Sequence, residues 1–354
     1  MLSARTYFEI ISGRRKGPGA AFLRGLLWAA EIPYSWVVQM RNRAYDRGRF
    51  RTYWVGVPVV SVGNLTLGGT GKTPFVIWLA SWYRRQGIRV VILSRGYAAM
   101  GTGGNDEARH LAQILPDVPH YQDPDRVQAA RRAIEEDKAE LIILDDGFQH
   151  RRLHRDLDIV LLDALEPFGY GHVFPRGTLR EPFEELRRAD VVVLSRANFI
   201  QADAREEIRE RVQRCVPQAL WAEIAHRPQL LINAAGKEEQ VSLFRRQPVA
   251  AFCGIGNPLA FRLTLEECGY RVIAFWEFPD HYAYSPRDLE RLSEWANRFD
   301  VKAVLCTPKD LVKISQEYLG DRPLWALMTK VEFLKGQEAL EERLRAIKPG
   351  PAFP

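Results

Sequence analysis

Two separated stretches of this chain carry residue types that could handle a nucleotide's phosphates. The first is "VGNLTLGGTGKTP", residues 62–74. Gly68, Gly69 and Gly71 would let successive backbone N–H groups converge on phosphate oxygens at a helix N-terminus, where the helix dipole favours negative charge. Thr70 lies among them, Lys72 is placed to reach the β and γ phosphates, and Thr73 is placed to hold Mg²⁺. The loop departs from the strict pattern G-x-x-x-x-G-K-[ST]: counting back from Gly71 puts Thr66 where the opening glycine should stand. The second stretch is "LIILDDGFQH", residues 141–150, in which four apolar residues end in Asp145 and Asp146. An acidic group at the C-terminal end of a strand holds Mg²⁺ directly or through water in many nucleotide-binding proteins, although Asp-Asp-Gly is also a common turn.

The elements around these residues suit the chemistry. "VPVVSVGN" is a run of β-branched and apolar residues leading into the glycine loop, and Pro74 to Gln86 reads as a helix whose first turn tolerates proline. Further strands follow at "RVVILS", "ELIILDD", "LDIVLLDA" and "ADVVVLS", with helices near 105–115, 124–137 and 201–213. Strands so uniformly apolar, separated by helices, predict a parallel sheet covered on both faces. The pattern lapses over 225–248 and resumes from 249 with a second α/β unit. The expected fold class is therefore α/β, with two doubly wound, Rossmann-like or P-loop domains preceded by an N-terminal amphipathic helical segment. The expected division is a basic segment over 1–51, a P-loop domain over 52–224, a linker over 225–248 and a smaller α/β domain over 249–354.

Composition narrows the class. The chain has 354 residues, 46% of them hydrophobic and 27% charged, which describes a well-cored protein and excludes whole-chain disorder. Cys215, Cys253, Cys268 and Cys306 lack metal-ligand or disulfide-framework spacing, so buried free thiols are expected. Residues 1–51 hold ten Lys/Arg against three Asp/Glu, whereas the rest is balanced at 40 against 41. No basic stripe with interleaved aromatics occurs in the body, so nucleic acid is not an expected partner.

The basic segment contains "GAAFLRGLLWAAEIPYSWVV". On a wheel, Phe22, Leu23, Leu26, Leu27 and Ala30 fall within an arc of about 140°, while Arg24 and Glu31 lie outside it. An amphipathic helix ended by Pro33 is expected. Its charges and the proline argue against a membrane span, and no signal-peptide pattern is present. Such a helix can lie in a membrane interface or pack on the protein's own core.

Several P-loop classes fit poorly. Leu67 occupies the position of the signature lysine of the ParA and MinD type, and "TPKD" at 307–310 lacks the order of a guanine-reading motif. What remains is a kinase or ligase with its own acceptor, or a nucleotide-controlled switch. The chain resembles the tetraacyldisaccharide 4'-kinases of lipid A biosynthesis through the loop above, "LSRGY" at 93–97, "NDEA" at 105–108, "DDGFQHRRLHRDLDIVLLDA" at 145–164, "FPRGTLREP" at 174–182 and "FPDHYAYS" at 278–285.

The resemblance implies ATP and Mg²⁺ as cofactors, a lipid disaccharide acceptor, an anionic lipid surface as partner, and a peripheral monomer on the cytoplasmic face of the bacterial inner membrane. It implies Asp106 as catalytic carboxylate and His281 as its histidine partner, one from each domain. By residue type alone, Asp106 also suits a helix's first turn and His281 a surface pair with Asp280. Arg126, Arg95, His150 and Glu181 are further candidates because each falls in or near a motif. Either arginine could neutralise transition-state charge or serve as an ordinary cap or surface pair. Arg176, Thr178 and Pro308 depart from the family's usual residues, and the opening glycine of the loop is not kept at its usual place in the family.

Overall fold

The computed structural model describes residues 4–96 and 106–350. The first half contains α1 (Ala4–Ile11), α2 (Pro18–Asp46), β1 (Val59–Asn64), α3 (Lys72–Arg85), β2 (Val90–Ser94), α4 (Asp106–Ile114), β3 (His120–Gln122), α5 (Arg126–Glu136), β4 (Leu141–Asp145), β5 (Leu157–Asp163), β6 (Val191–Ser195) and α6 (Ala202–Cys215). The second contains β7 (Leu220–Ile232), β8 (Glu238–Glu239), β9 (Pro248–Cys253), α7 (Pro258–Glu267), β10 (Arg271–Glu277), α8 (Pro286–Asn297), β11 (Ala303–Cys306), α9 (Pro308–Leu311), β12 (Tyr318–Leu319), β13 (Arg322–Lys335) and α10 (Gln337–Arg345).

The α/β class, the parallel strand pairing and the N-terminal helices agree with the sequence. Strands β1, β2, β4, β5 and β6 are buried along their whole length, which is why they read as continuous apolar runs. Residues of α3, α4 and α10 cover one face of this sheet, while α5 and α6 cover the other. In the second half α7 and α8 take opposite faces in the same way. Each fully buried Val, Leu or Ile contributes roughly 1.5–3 kcal/mol against leaving it in water.

The two parallel sheets are joined into one. The order runs β10-β9-β11-β13-β7-β6-β5-β1-β4-β2-β3, and the junction is the antiparallel pair of β13 with β7. The segment expected as a linker thus opens as strand, since β7 continues to Ile232. Its mixed polarity has a structural cause: burial varies along β7, and Pro228, which has no N–H, pairs with Thr329 beside a register shift.

Pro33 does not end α2, which runs 29 residues from Pro18 to Asp46. A proline inside a helix leaves the carbonyl four residues earlier without its donor. Here both Pro33 and Ala29 are exposed, so that carbonyl faces outward rather than into a dry core. Cys253, Cys268 and Cys306 are buried, Cys215 is half-buried, and all four are free thiols.

Candidate active site

Strand β1 lies between β4 and β5, so its C-terminal end opens at the middle of the sheet. The loop that follows explains the missing glycine. Thr66 forms an antiparallel bridge with Leu179, Leu67 N–H donates to Thr178 O at 2.6 Å, and Arg180 N–H donates to Leu65 O at 2.7 Å. The opening of the loop is therefore a short strand pairing, which any residue can adopt. Glycine becomes necessary later. Gly71 has φ 83°, and a Cβ there would run into the His226 ring and the Ser195 hydroxyl. With Gly71 as N-cap, α3 starts at Lys72, and the side chain of Thr73 is buried in its first turn. Thr70 Oγ1 is buried in the loop without a hydrogen-bond partner.

Strand β4 delivers Asp145 at its end, and Asp146 leaves the sheet with φ 54°. Lys72 Nζ lies 3.2 Å from Asp146 Oδ1 and donates to Asn64 Oδ1 at 3.1 Å. Arg180 donates to both Asp146 oxygens at 2.9 and 2.8 Å. Burial alone would raise the Asp146 pKa, but Lys72 and Arg180 together hold it well below the usual carboxylate range.

The same cleft, about 960 Å³ in volume, brings together most of the residues singled out from sequence. Gly68, Gly69, Thr70, Gly71, Lys72, Thr73, Asp145 and Asp146 form one wall with Arg95, Arg126, His150 and Glu181, and His281 comes from the second half. Arg126 opens α5 and is buried, with its Nε unpartnered. His150 Nε2 is likewise buried and unpartnered. Burial, reinforced by Arg126 and three other arginines, lowers the His150 pKa to about 4, so its ring is neutral at physiological pH. Arg95 is exposed at the cleft's edge.

Glu181 lines the cleft and is tied to its surroundings by three donors. It accepts from Asn42 Nδ2 at 2.9 Å, Gln149 Nε2 at 2.8 Å and Arg188 Nη2 at 2.7 Å, which makes it a buried tie between α2 and the loop after β4. His281 has φ 57°, and its N–H donates to Gly254 O at 3.2 Å. Its Nε2 lies 3.9 Å from Asp280 Oδ1. Asp106 is the first residue of α4; its side chain lies outside the described residues, as do Tyr97 and Asn105 of the neighbouring motifs. Pro308 occupies the first turn of α9, where Thr307 and Asp310 form a capping box, so this departure suits the helix start.

Sequence reasoning missed Asn64, Arg180, Asp163, Arg196, His226 and Asn257. Arg196 Nη2 donates to Gly69 O at 2.8 Å while Nη1 pairs with Asp163, and Asn257 Nδ2 donates to Asp163 Oδ2 at 2.7 Å. His226 is buried against Ser195 at 3.2 Å; burial, with Arg196 nearby, lowers its pKa to about 3. Arg180, Asn64 and Asp163 stand inside motifs quoted above, but nothing local in the sequence marked Arg196, His226 or Asn257.

Helix α2 borders the cleft with its polar side inward. Tyr34 OH donates to Arg180 O at 3.2 Å, Arg41 to Gln149 O at 2.9 Å, and Glu31 accepts from Val173 N–H at 2.7 Å and His172 Nδ1 at 3.0 Å. Phe22, Leu26, Trp28, Ile32, Trp36 and Val37 are each more than half exposed. Among the described residues no helix is long and apolar enough to cross a membrane.

A glycine loop between a central strand and a helix, a lysine and threonine in that helix's first turn, and an acidic pair at the end of the neighbouring strand define a P-loop nucleotide-binding protein. Residues 23–348 match the family profile described as Tetraacyldisaccharide-1-P 4'-kinase, and the chain belongs to that family. It is 37% identical to the Tetraacyldisaccharide 4'-kinase of Anaeromyxobacter sp. (strain K), over 96% of this chain and 97% of that protein. It is 36% identical to the protein of the same name from Halothermothrix orenii, over 82% of this chain and 83% of that one. The crystal structure of "apo" form LpxK from Aquifex aeolicus in complex with ATP superposes with a TM-score of 0.70 at 32% identity, covering 92% of this chain and 99% of that one.

Proposed function

We propose that this protein transfers the γ-phosphate of ATP to the 4'-hydroxyl of tetraacyldisaccharide 1-phosphate, forming lipid IVA, and that the residues gathered in the cleft carry out the transfer. The observation that carries this reading is the cleft itself: Lys72, Thr73, the acidic pair and His281 line one space to which both halves of the chain contribute. Phosphoryl transfer asks mainly for positioning and charge neutralisation, and the cleft supplies both.

The N–H groups of Gly68 to Thr73 cradle the phosphates, and Lys72 neutralises them. The residues present fit Mg²⁺, because Thr73, Asp145 and Asp146 offer hard oxygen donors. Among the described residues no group of three or more His, Cys, Asp or Glu could hold a metal alone. Mg²⁺ characteristically relies on one or two carboxylates plus substrate phosphates and waters. Asp146 is already bound by Lys72 and Arg180, which favours Asp145 with Thr73 as its holders. When bound, the ion supplies further charge neutralisation. Arg126, buried at the start of α5, stabilises charge that spreads during transfer. Asp106 and His281 take the proton from the acceptor hydroxyl.

The body over 52–224 and the unit over 249–354 act as the two walls of the site. A monomer acting peripherally at the cytoplasmic face of the bacterial inner membrane fits the outward apolar face of α2 and the basic segment around it. Each suitably placed Lys or Arg adds roughly 1 kcal/mol at an anionic surface. The test is transfer of ³²P from γ-labelled ATP to tetraacyldisaccharide 1-phosphate in detergent micelles with Mg²⁺, beside Lys72→Ala. A labelled lipid absent from the variant is expected; hydrolysis without lipid labelling overturns the acceptor.

A further inference from the structure

A phosphate loop works when its N–H groups point at the ligand, so its carbonyls must point away and find donors elsewhere. Gly69 has no side chain to keep the peptide that follows it from turning over. Its carbonyl is held by Arg196 Nη2 at 2.8 Å. Arg196 is itself buried and fixed in the left-handed region at φ 59°, with Nη1 on Asp163 Oδ2.

That same Asp163 oxygen accepts from Asn257 Nδ2 at 2.7 Å, and Asn257 belongs to the second half. Its side-chain oxygen meanwhile caps α7 by accepting from Ala260 N–H at 3.0 Å. The contact is close: a Cβ on the neighbouring Gly256 would lie 2.5 Å from Gly69 N. One carboxylate oxygen thus serves both the guanidinium that sets the loop and the amide that arrives with the second half.

We propose that Arg196 is a positioning residue for phosphoryl transfer, locking the Gly69–Thr70 peptide with the Thr70 N–H toward the nucleotide. Asp163 and Asn257 make that lock depend on docking of the second half. The lock rests on the phosphate-loop reading above, and Lys72→Ala in the same assay checks that reading separately. The loop is thereby set only when the wall carrying His281 is in place, so nucleotide is gripped in the geometry that also completes the site.

The test uses the full-length enzyme in detergent micelles, with Arg196→Lys, Asn257→Ser and the double variant. Serine retains a hydroxyl that caps α7 but has no amide to reach Asp163. Each single variant is expected to lower kcat/KM for ATP about tenfold, with KM for the lipid acceptor and the thermal midpoint of Asn257→Ser near wild type. Because both act through one oxygen, the double variant is expected to be no worse than the more damaged single variant. Wild-type kinetics for Asn257→Ser, fold-losses that multiply in the double variant, or an acceptor KM that rises in step would overturn the proposal. If Arg196→Lys does not fold, Asn257→Ser alone carries the test through its split between ATP and acceptor constants.

Discussion

Lys72 and Asp146 face each other at 3.2 Å, and Arg180 holds the same carboxylate from the other side at 2.8 Å. The lysine expected to serve the phosphates is thus already committed to Asp146. Arg180 can keep Asp146 neutralised when Lys72 moves to a nucleotide, so removing it should tighten the hold of Asp146 on Lys72. Arg180→Ala is expected to raise KM for ATP about tenfold, in line with the cost of breaking a charge-assisted contact. Steady-state ATP titration measures this, and an unchanged KM would show that Lys72 moves without that help.

The two carboxylates should separate under metal titration. Asp145→Asn is expected to raise the Mg²⁺ concentration for half-maximal transfer at least about tenfold, because magnesium discriminates strongly for charged oxygen ligands. Asp146→Asn should instead alter KM for ATP by releasing Lys72 and Arg180. If the two variants exchange these effects, Asp146 holds the metal.

Acid should destabilise the fold through two buried histidines. His226 and His150 have pKa values lowered to about 3 and about 4, whereas the unfolded chain protonates histidine near 6.5. Between those values the unfolded state binds more protons, so stability falls as pH falls, by about 1.4 kcal/mol per pH unit for each histidine. Asp146, whose pKa is depressed, adds stability that is lost only further into acid as its carboxylate protonates. Urea unfolding at pH 7 and pH 5 should show the fall, and His226→Asn should reduce it. Equal slopes for wild type and variant would remove His226 from the account.

Helix α2 should bind lipid through side chains the fold does not need. Trp28 and Trp36 are 55% and 62% exposed, so the double change to Ser should leave the thermal midpoint unchanged. Co-sedimentation with vesicles containing anionic lipid is expected to fall about tenfold, because two interfacial indoles are lost. Undiminished binding would assign the membrane contact to another surface.

The phosphate loop and acidic pair were legible in sequence because strand, loop and helix follow one another within a few residues. The contacts of Arg196, Asp163 and Asn257 were not, since they act across distance: Arg196 and Gly69 are 127 positions apart, and Asn257 and Asp163 are 94 apart. Glu181 lies in a motif for a reason the motif could not disclose, namely that Asn42, Gln149 and Arg188 need one shared acceptor. Pro33 lies within α2 and does not stop it, because a proline's effect depends on what its orphaned carbonyl faces. The junction through β7 was hidden by Pro228 and by burial that varies along the strand.

The inverted polarity of α2 has a geometric consequence on the membrane reading. A helix of 29 residues measures about 43 Å, and its polar ties to Val173, Gln149, Arg180 and Glu181 fix it rigidly to the body. Tyr34, Val38 and Arg41 of that helix also line the cleft, so the mouth of the reaction chamber and the greasy flank sit on one rigid bar. Lying in the bilayer surface, this bar would hold the chamber at a constant height above the hydrocarbon. A sugar headgroup could then tilt into reach while its acyl chains stay dissolved where they were.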